Sequence, residues 1–198
     1  MTFPQRLVIA SRNEGKIREI LRICADWPVE WRTHREVEIP DIEETGATYL
    51  DNALLKARQV AEATGEAALA DDSGIEVDAL GGGPGPRSAR YSGPGATEES
   101  NLRALIRAVE GVPSARRTAR YRAVAAVAEP SGDAVWAEGV CDGVLETEPR
   151  GTGGFGYDPI FVPDGEDRTM AELSDDEKDR ISHRGRALRA LGDRLAGD

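Results

Sequence analysis

Two strand-like runs, Arg120 to Ala128 and Ala134 to Leu145, flank the turn Pro130-Ser131-Gly132-Asp133. So short a link cannot carry a parallel crossover, so the two strands must pair antiparallel. The rest of the chain alternates strands with helices. Leu7-Val8-Ile9-Ala10 reads as a buried strand. Ile17, Ile20, Leu21 and Cys24 then recur at helical spacing, which predicts a helix from about Glu14 to Asp26 with Asn13 as its N-cap. A second helix is predicted over Thr48 to Thr64, stopped by Gly65. Ala67 to Asp72 and Ile75 to Leu80 read as two successive strands. Leu102, Leu105, Ile106 and Val109 mark a third helix, capped by Thr97. After the glycine-rich loop Gly151 to Asp158, the chain is helical again. Ser174 opens a capping box there, and Leu188, Leu191 and Leu195 form an apolar stripe. Interspersed helices with one obligatory hairpin imply an α/β fold with a long mixed central sheet flanked by helices. No repeat or long linker interrupts it, so residues 1–198 are expected to form a single domain.

Composition narrows what such a domain can bind. The formal charge is −11, which argues against nucleic acid as a partner, because a phosphate backbone rewards basic surfaces. An acidic protein that handles polyanions must reverse its potential locally, with clustered lysine and arginine or a bound divalent cation. No apolar run approaches the roughly 18–20 residues that span a bilayer, so no membrane association is expected. The first residues show no signal pattern, and Cys24 and Cys141 lack a CxxC or a nearby histidine cluster. A cytoplasmic protein without a zinc site or disulfide framework follows as the expectation.

Five segments carry residue types that suit chemistry. Ser11-Arg12-Asn13-Glu14-Gly15-Lys16 joins the first strand to the first helix, where N–H groups, a hydroxyl and a lysine make an anion site. It is not a P-loop, since Ile17 follows the lysine; a plain turn with a solvated lysine explains it as well. Asp41-Ile42-Glu43-Glu44-Thr45-Gly46 leads into the second helix, where acids ordinarily complement the dipole. Asn52 and Lys56 share a face of that helix. Ala70-Asp71-Asp72-Ser73-Gly74 puts two carboxylates at a strand end. Strand side chains alternate, but a turn here would let both converge on a magnesium and water site; a structural Asx turn is the competing explanation. The loop Gly151-Thr152-Gly153-Gly154-Phe155-Gly156-Tyr157-Asp158 allows close backbone approach and offers aromatics for a base. Lys178 and Ser182-His183-Arg184 add polar groups near a helix start.

In this order the segments resemble the inosine triphosphate pyrophosphatase family. The stretches EETGATYLDNALLKA, ADDSGIEVDALGG, SARYSG, GTGGFGYDPIF and AELSDDEKDRISHRG carry the resemblance over nearly the whole chain. It implies an elongated fold of two lobes with an active-site cleft between them, a homodimer, and magnesium as cofactor. The implied reaction is hydrolysis of non-canonical purine nucleoside triphosphates (ITP, dITP, XTP) to the monophosphate and pyrophosphate. By motif, Ser11, Arg12, Asn13, Glu14, Gly15 and Lys16 fall on the triphosphate loop. Glu43 and Asp72 fall on the metal-linked acids. Asp72 is also the implied proton acceptor, with Lys56, Asp71 and Asn52 in support. Ser73 falls on a substrate contact, and Phe155, Gly156, Tyr157, Asp158, Lys178, His183 and Arg184 fall on the nucleotide and base pocket. The chain departs from the family pattern at Ser11, where many relatives have threonine, and at Pro86-Arg87, where apolar or aromatic residues are commoner.

Two rival functions fit the same segments. A non-catalytic nucleotide sensor would keep the pocket but needs no water-activating carboxylate. A pyrophosphatase for modified pyrimidine nucleotides would keep the acids but bind another base.

Overall fold

The computed structural model describes residues 1–197. The strands are β1 (Arg6–Ile9), β2 (Glu30–Arg32), β3 (Ala67–Val77), β4 (Thr118–Ala128), β5 (Ala134–Leu145) and β6 (Phe161–Pro163). The helices are α1 (Glu14–Ile23), α2 (Tyr49–Thr64), α3 (Glu98–Val109), α4 (Asp175–Ile181) and α5 (His183–Ala196). The strands form one sheet in the order β2-β1-β3-β4-β5-β6. It is mixed: β1 runs parallel to β2 and β3, and β5 runs antiparallel to β6. The β4–β5 turn is closed by Glu129 N–H to Asp133 C=O and Gly132 N–H to Glu129 C=O, both at 2.9 Å. Among the described residues no helix is long and apolar enough to cross a membrane.

The helix ends lie where local chemistry puts them. Asn13 accepts from the Lys16 N–H and starts α1. Thr48 and Asp51 form a reciprocal capping box at α2, and Gly65 ends that helix in the left-handed conformation at φ 69°. Thr97 with Ser100 and Ser174 with Glu177 do the same for α3 and α4. The helix α1 stops at Ile23, short of the predicted Asp26.

One expectation is corrected. Residues 67–80 were expected to form two strands separated by a turn at the acid pair. Instead β3 runs unbroken through Asp71, Asp72, Ser73 and Gly74, and only Asp78–Leu80 turn, as a 3-10 segment. Burial along nearly the whole strand, on both faces, keeps it extended, so the two carboxylates point to opposite faces and do not converge.

The chain divides into two compact units. The first comprises residues 1–72, 123–139 and 184–198, and the second 73–122 and 140–183. Within the first unit, strand parity sorts the side chains onto two faces. Leu7, Ile9, Leu69, Ala123, Ala125 and Val127 pack with Ile17 and Ile20 of α1 and with Leu188, Leu191 and Leu195 of α5. The intervening residues Val8, Ala68, Ala70, Val124, Ala126 and Ala128 pack with Tyr49, Ala53, Ala57 and Val60 of α2. The second unit has its own core, in which Ile75, Val77, Tyr121, Leu145, Ile160 and Phe161 meet Leu105 and Val109 of α3.

Candidate active site

The parity that sorts the first core also sorts its charges. Asp71 continues the face that holds Leu69, and Asp72 continues the face that holds Ala70. Each acid therefore meets a different helix.

Asp71 is 3% exposed. Its Oδ2 accepts from both Arg184 Nε at 3.1 Å and Nη2 at 2.9 Å, two donors of one guanidinium at the start of α5 converging on a single oxygen. Its Oδ1 lies 3.2 Å from the Lys16 ammonium of α1. Arg184, 1% exposed, also donates through Nη1 to the buried Glu19 carboxylate. Burial pushes the Asp71 carboxyl up, but Arg184, Lys16 and Lys56 outweigh it and hold the group well below the usual carboxylate range. Burial of Lys16 lowers its ammonium below the ordinary lysine value, although Asp71 opposes the shift.

Asp72 meets α2. Its Oδ1 is 3.0 Å from the Lys56 ammonium and its Oδ2 accepts from Asn52 Nδ2 at 3.2 Å. Asn52 is fully buried, and its Oδ1 accepts the Gly46 N–H at 2.8 Å, which ties the acidic loop to the strand. Gly46 leaves no room for more: a Cβ there would lie 2.5 Å from Asn52 Oδ1. Lys56 also donates to Glu44 at 2.7 Å. Burial raises the Asp72 carboxyl above its ordinary value, because Lys56 and Lys16 offset the desolvation only in part. For Lys56 the balance runs the other way: burial lowers it, but Asp72, Glu44 and Asp71 together raise it.

Both lysines converge on one main-chain atom. The Asp71 carbonyl accepts from Lys56 at 2.8 Å and from Lys16 at 3.3 Å. The reason is topological: the β1 ladder on β3 runs only from Ala67 to Leu69, and the Ala10 N–H takes the Leu69 carbonyl, so Asp71 lies beyond the pairing. The carboxyl ends of parallel strands are where α/β sheets place their ligands.

The other predicted residues of this unit are more exposed. Ser11 Oγ accepts the Asn13 N–H at 3.2 Å, and Arg12 pairs with Asp41 and donates to the Ile39 carbonyl at 2.5 Å. Glu14 pairs with Arg35 at 2.7 Å, and Gly15 is buried. Glu43 is exposed; its neighbour Glu44 is the acid that shares Lys56 with Asp72.

The second unit assembles a separate polar group. Asp158 Oδ2 accepts from the Lys178 ammonium at 2.5 Å and from the Phe155 N–H at 2.9 Å. The loop can do this only because Gly154 adopts φ +66°; a Cβ there would lie 2.1 Å from Asp158 Oδ2. The Lys178 ammonium lies 5.0 Å from the Phe155 ring centroid. Tyr157 donates to the Ser88 carbonyl at 2.7 Å, and the Gly156 N–H reaches Glu98 at 3.3 Å. Ser73 is half-buried on β3. His183 stacks on Tyr121 with ring centroids 4.4 Å apart and planes 5° apart. Arg184, the next residue, does not join this group; its guanidinium is taken up by Asp71 and Glu19.

Glu19, Glu44 and Tyr121 were not anticipated. Glu19 left a faint signal, a charge one turn after Lys16 beside the apolar Ile17 and Ile20. Glu44 is adjacent to Glu43, the acid that the resemblance implies. Nothing in its neighbourhood distinguishes Tyr121 from an ordinary strand residue.

The whole chain resembles known proteins. A dITP/XTP pyrophosphatase of Escherichia coli K12 is 45% identical over 193 residues, covering 96% of this chain and 98% of that protein. One of Geobacter sulfurreducens is 48% identical, covering 96% of each. Among solved structures, a HAM1 protein from Coxiella burnetii superposes with a TM-score of 0.87 at 40% identity and full coverage of both chains. A nucleoside-triphosphatase / dITP/XTP pyrophosphatase from Mycobacterium abscessus does so with a TM-score of 0.75 at 45% identity, covering 94% of this chain and 98% of that one. The profile of the Ham1 family matches residues 7–194, and the chain belongs to that family.

Proposed function

We propose that this protein hydrolyses non-canonical purine nucleoside triphosphates, dITP, XTP and ITP, to the nucleoside monophosphate and pyrophosphate. It is a nucleoside-triphosphate pyrophosphohydrolase. The observation that carries the chemistry is the convergence of Lys16 and Lys56 beside the buried, charge-perturbed Asp72; the substrate class rests on what the relatives are named for.

In this reading water attacks the α-phosphorus, the bond to the bridging oxygen breaks, and pyrophosphate leaves. Phosphoryl transfer of this kind needs positioning and charge stabilisation more than covalent chemistry. Asp72 takes the proton from the water. Its raised carboxyl is a stronger base than an ordinary aspartate and is held in place by Asn52. Lys16 and Lys56, with Arg12 and the N–H groups of Ser11 to Gly15, take up the phosphate charge. One ammonium–phosphate pair at 4 Å contributes on the order of 4 kcal/mol at an effective dielectric of 20, before desolvation. Ser73 contacts the substrate as well.

The donor set fits a divalent cation shared with the triphosphate. Among the described residues no three His, Cys, Asp or Glu side chains cluster as a metal cage. Asp72 and Glu44 nevertheless lie within 3.0 Å of one ammonium, so a positive charge already sits between two hard oxygen donors. Magnesium typically takes one or two carboxylates and completes its shell with phosphate and water. Asp72 with Glu44, or with the exposed Glu43, would hold it, and when bound it supplies neutralisation of phosphate charge.

Base selection in this reading belongs to Phe155, Gly156, Tyr157, Asp158, Lys178 and His183, which would recognise the 6-oxo group and stack on the purine. Arg184 supports Asp71. The protein acts as a cytoplasmic homodimer, which light scattering of the purified chain checks. The defining experiment is pyrophosphate release with dITP, XTP and ITP against ATP, GTP and modified UTP in the presence of magnesium. Release from none of them would leave a nucleotide sensor, and release from the pyrimidine alone would replace the substrate class.

A further inference from the structure

Asp158 and His183 belong to different segments, the glycine-rich loop and the start of α5. One residue touches both. The Tyr121 hydroxyl donates to Asp158 Oδ1 at 3.2 Å, and its ring lies face to face with the His183 imidazole at 4.4 Å. Tyr121 is itself fixed. It sits on β4, 7% exposed, with Phe161 of β6 edge-on to its ring at 4.8 Å and 67°.

The division of labour on the carboxylate is specific. Lys178 and the Phe155 N–H both address Oδ2, and Tyr121 addresses Oδ1. With one oxygen held by the loop and α4 and the other by β4, the carboxylate plane is determined, and with it the loop main chain from Phe155 to Asp158. The near-parallel stack likewise fixes the imidazole plane. Burial and the neighbouring Asp158 hold the phenol well above the ordinary tyrosine value, so it remains a donor throughout the neutral range.

We propose that Tyr121 is a positioning residue for base selection, holding the Phe155–Asp158 loop and the His183 ring in one register so that the site favours a 6-oxopurine over a 6-aminopurine. This rests on the assignment of those two elements to the purine. Discrimination of this type depends on leaving the wrong base with an unpaired polar group, and a loosened donor or acceptor relaxes it. A neutral packing residue would not act on the ratio of two substrates.

The test is steady-state kinetics of Tyr121→Phe with dITP and dATP, both with magnesium. Phenylalanine keeps the ring and the stack and removes only the hydroxyl. The expected result is a rise in KM for dITP with kcat little changed, and a fall of about tenfold in the dITP-to-dATP ratio of kcat/KM, the size of one lost hydrogen bond to a charged group. Tyr121→Leu removes the stack too and lowers the ratio further; if that variant does not fold, Tyr121→Phe alone decides. An unchanged ratio with Tyr121→Phe, or an equal loss for both substrates, overturns the proposal. His183→Ala separates this failure from that of the underlying assignment. If His183→Ala lowers the ratio and Tyr121→Phe does not, only the role of Tyr121 falls; if neither does, the purine site lies elsewhere and both fall.

Discussion

Asp71 and Asp72 are adjacent and chemically identical, yet their environments drive them apart. Asp71 is overpaid in positive charge and stays ionised far into the acid range; Asp72 is under-compensated and is raised. A general base works only when deprotonated, so kcat/KM should fall as pH drops through the Asp72 value, which burial raises above that of an ordinary aspartate. The lowered Lys16 should bring the alkaline limb below that of an ordinary lysine, because its charge is needed for phosphate. Asp72→Asn should reduce kcat by ~10²–10⁴-fold and abolish the acid limb, while nucleotide binding and folding persist. A pH–rate profile of both proteins checks this, and a variant within a few-fold of wild type would reject Asp72 as base. Arg184 answers to stability instead. Arg184→Met takes the guanidinium from the buried Glu19 and leaves Asp71 with Lys16 as its close cation, which should cost about 3–5 kcal/mol, read from urea midpoints at unchanged slope. Because Asp71 is depressed in the folded state, its contribution is present above the unfolded value near 4 and lost as pH falls toward the folded one. The deficit of Arg184→Met should therefore shrink in acid.

At the scale of elements, the unbroken course of β3 matters most. Had the chain turned at the acid pair, both carboxylates would face one helix; extended, it delivers Asp71 to α1 and α5 and Asp72 to α2. The glycine loop is equally exacting. Gly154→Ala must displace the Asp158 carboxylate and meets Lys178 Nζ at 2.9 Å, on a backbone at φ +66°. The clash and the left-handed penalty together should cost about 1–3 kcal/mol. They should also weaken dITP binding more than they slow turnover. Calorimetry and kinetics on one preparation test this, and an unperturbed KM would show that the loop does not touch substrate. The capping boxes of α2, α3 and α4 need no such test to be understood, since each satisfies helix N–H groups from within four residues of chain.

The molecule as a whole carries −11, yet it gathers Lys16, Lys56 and Arg184 about Asp71 in the middle of β3. In the proposed reading a divalent cation would complete that local reversal of charge. Exhaustive chelation should therefore abolish pyrophosphate release, and magnesium should restore it, with manganese a substitute. Retained activity without metal would leave phosphate neutralisation to Lys16, Lys56, Arg12 and the N–H groups of the first loop.

What the sequence determined by itself was whatever is settled within a few residues. The caps at Asn13, Thr48 and Thr97, the stop at Gly65, the hairpin and the mixed α/β class all follow from local rules, and the motif resemblance was long enough to name a family. The tertiary structure decided which charges meet. Arg184 reaches Asp71 across 113 residues and Glu19 across 165, and Tyr121 reaches Asp158 across 37. No local pattern encodes such pairs. They depend on strand parity and on which helix covers each face, and those are fixed only when the sheet has closed on its core.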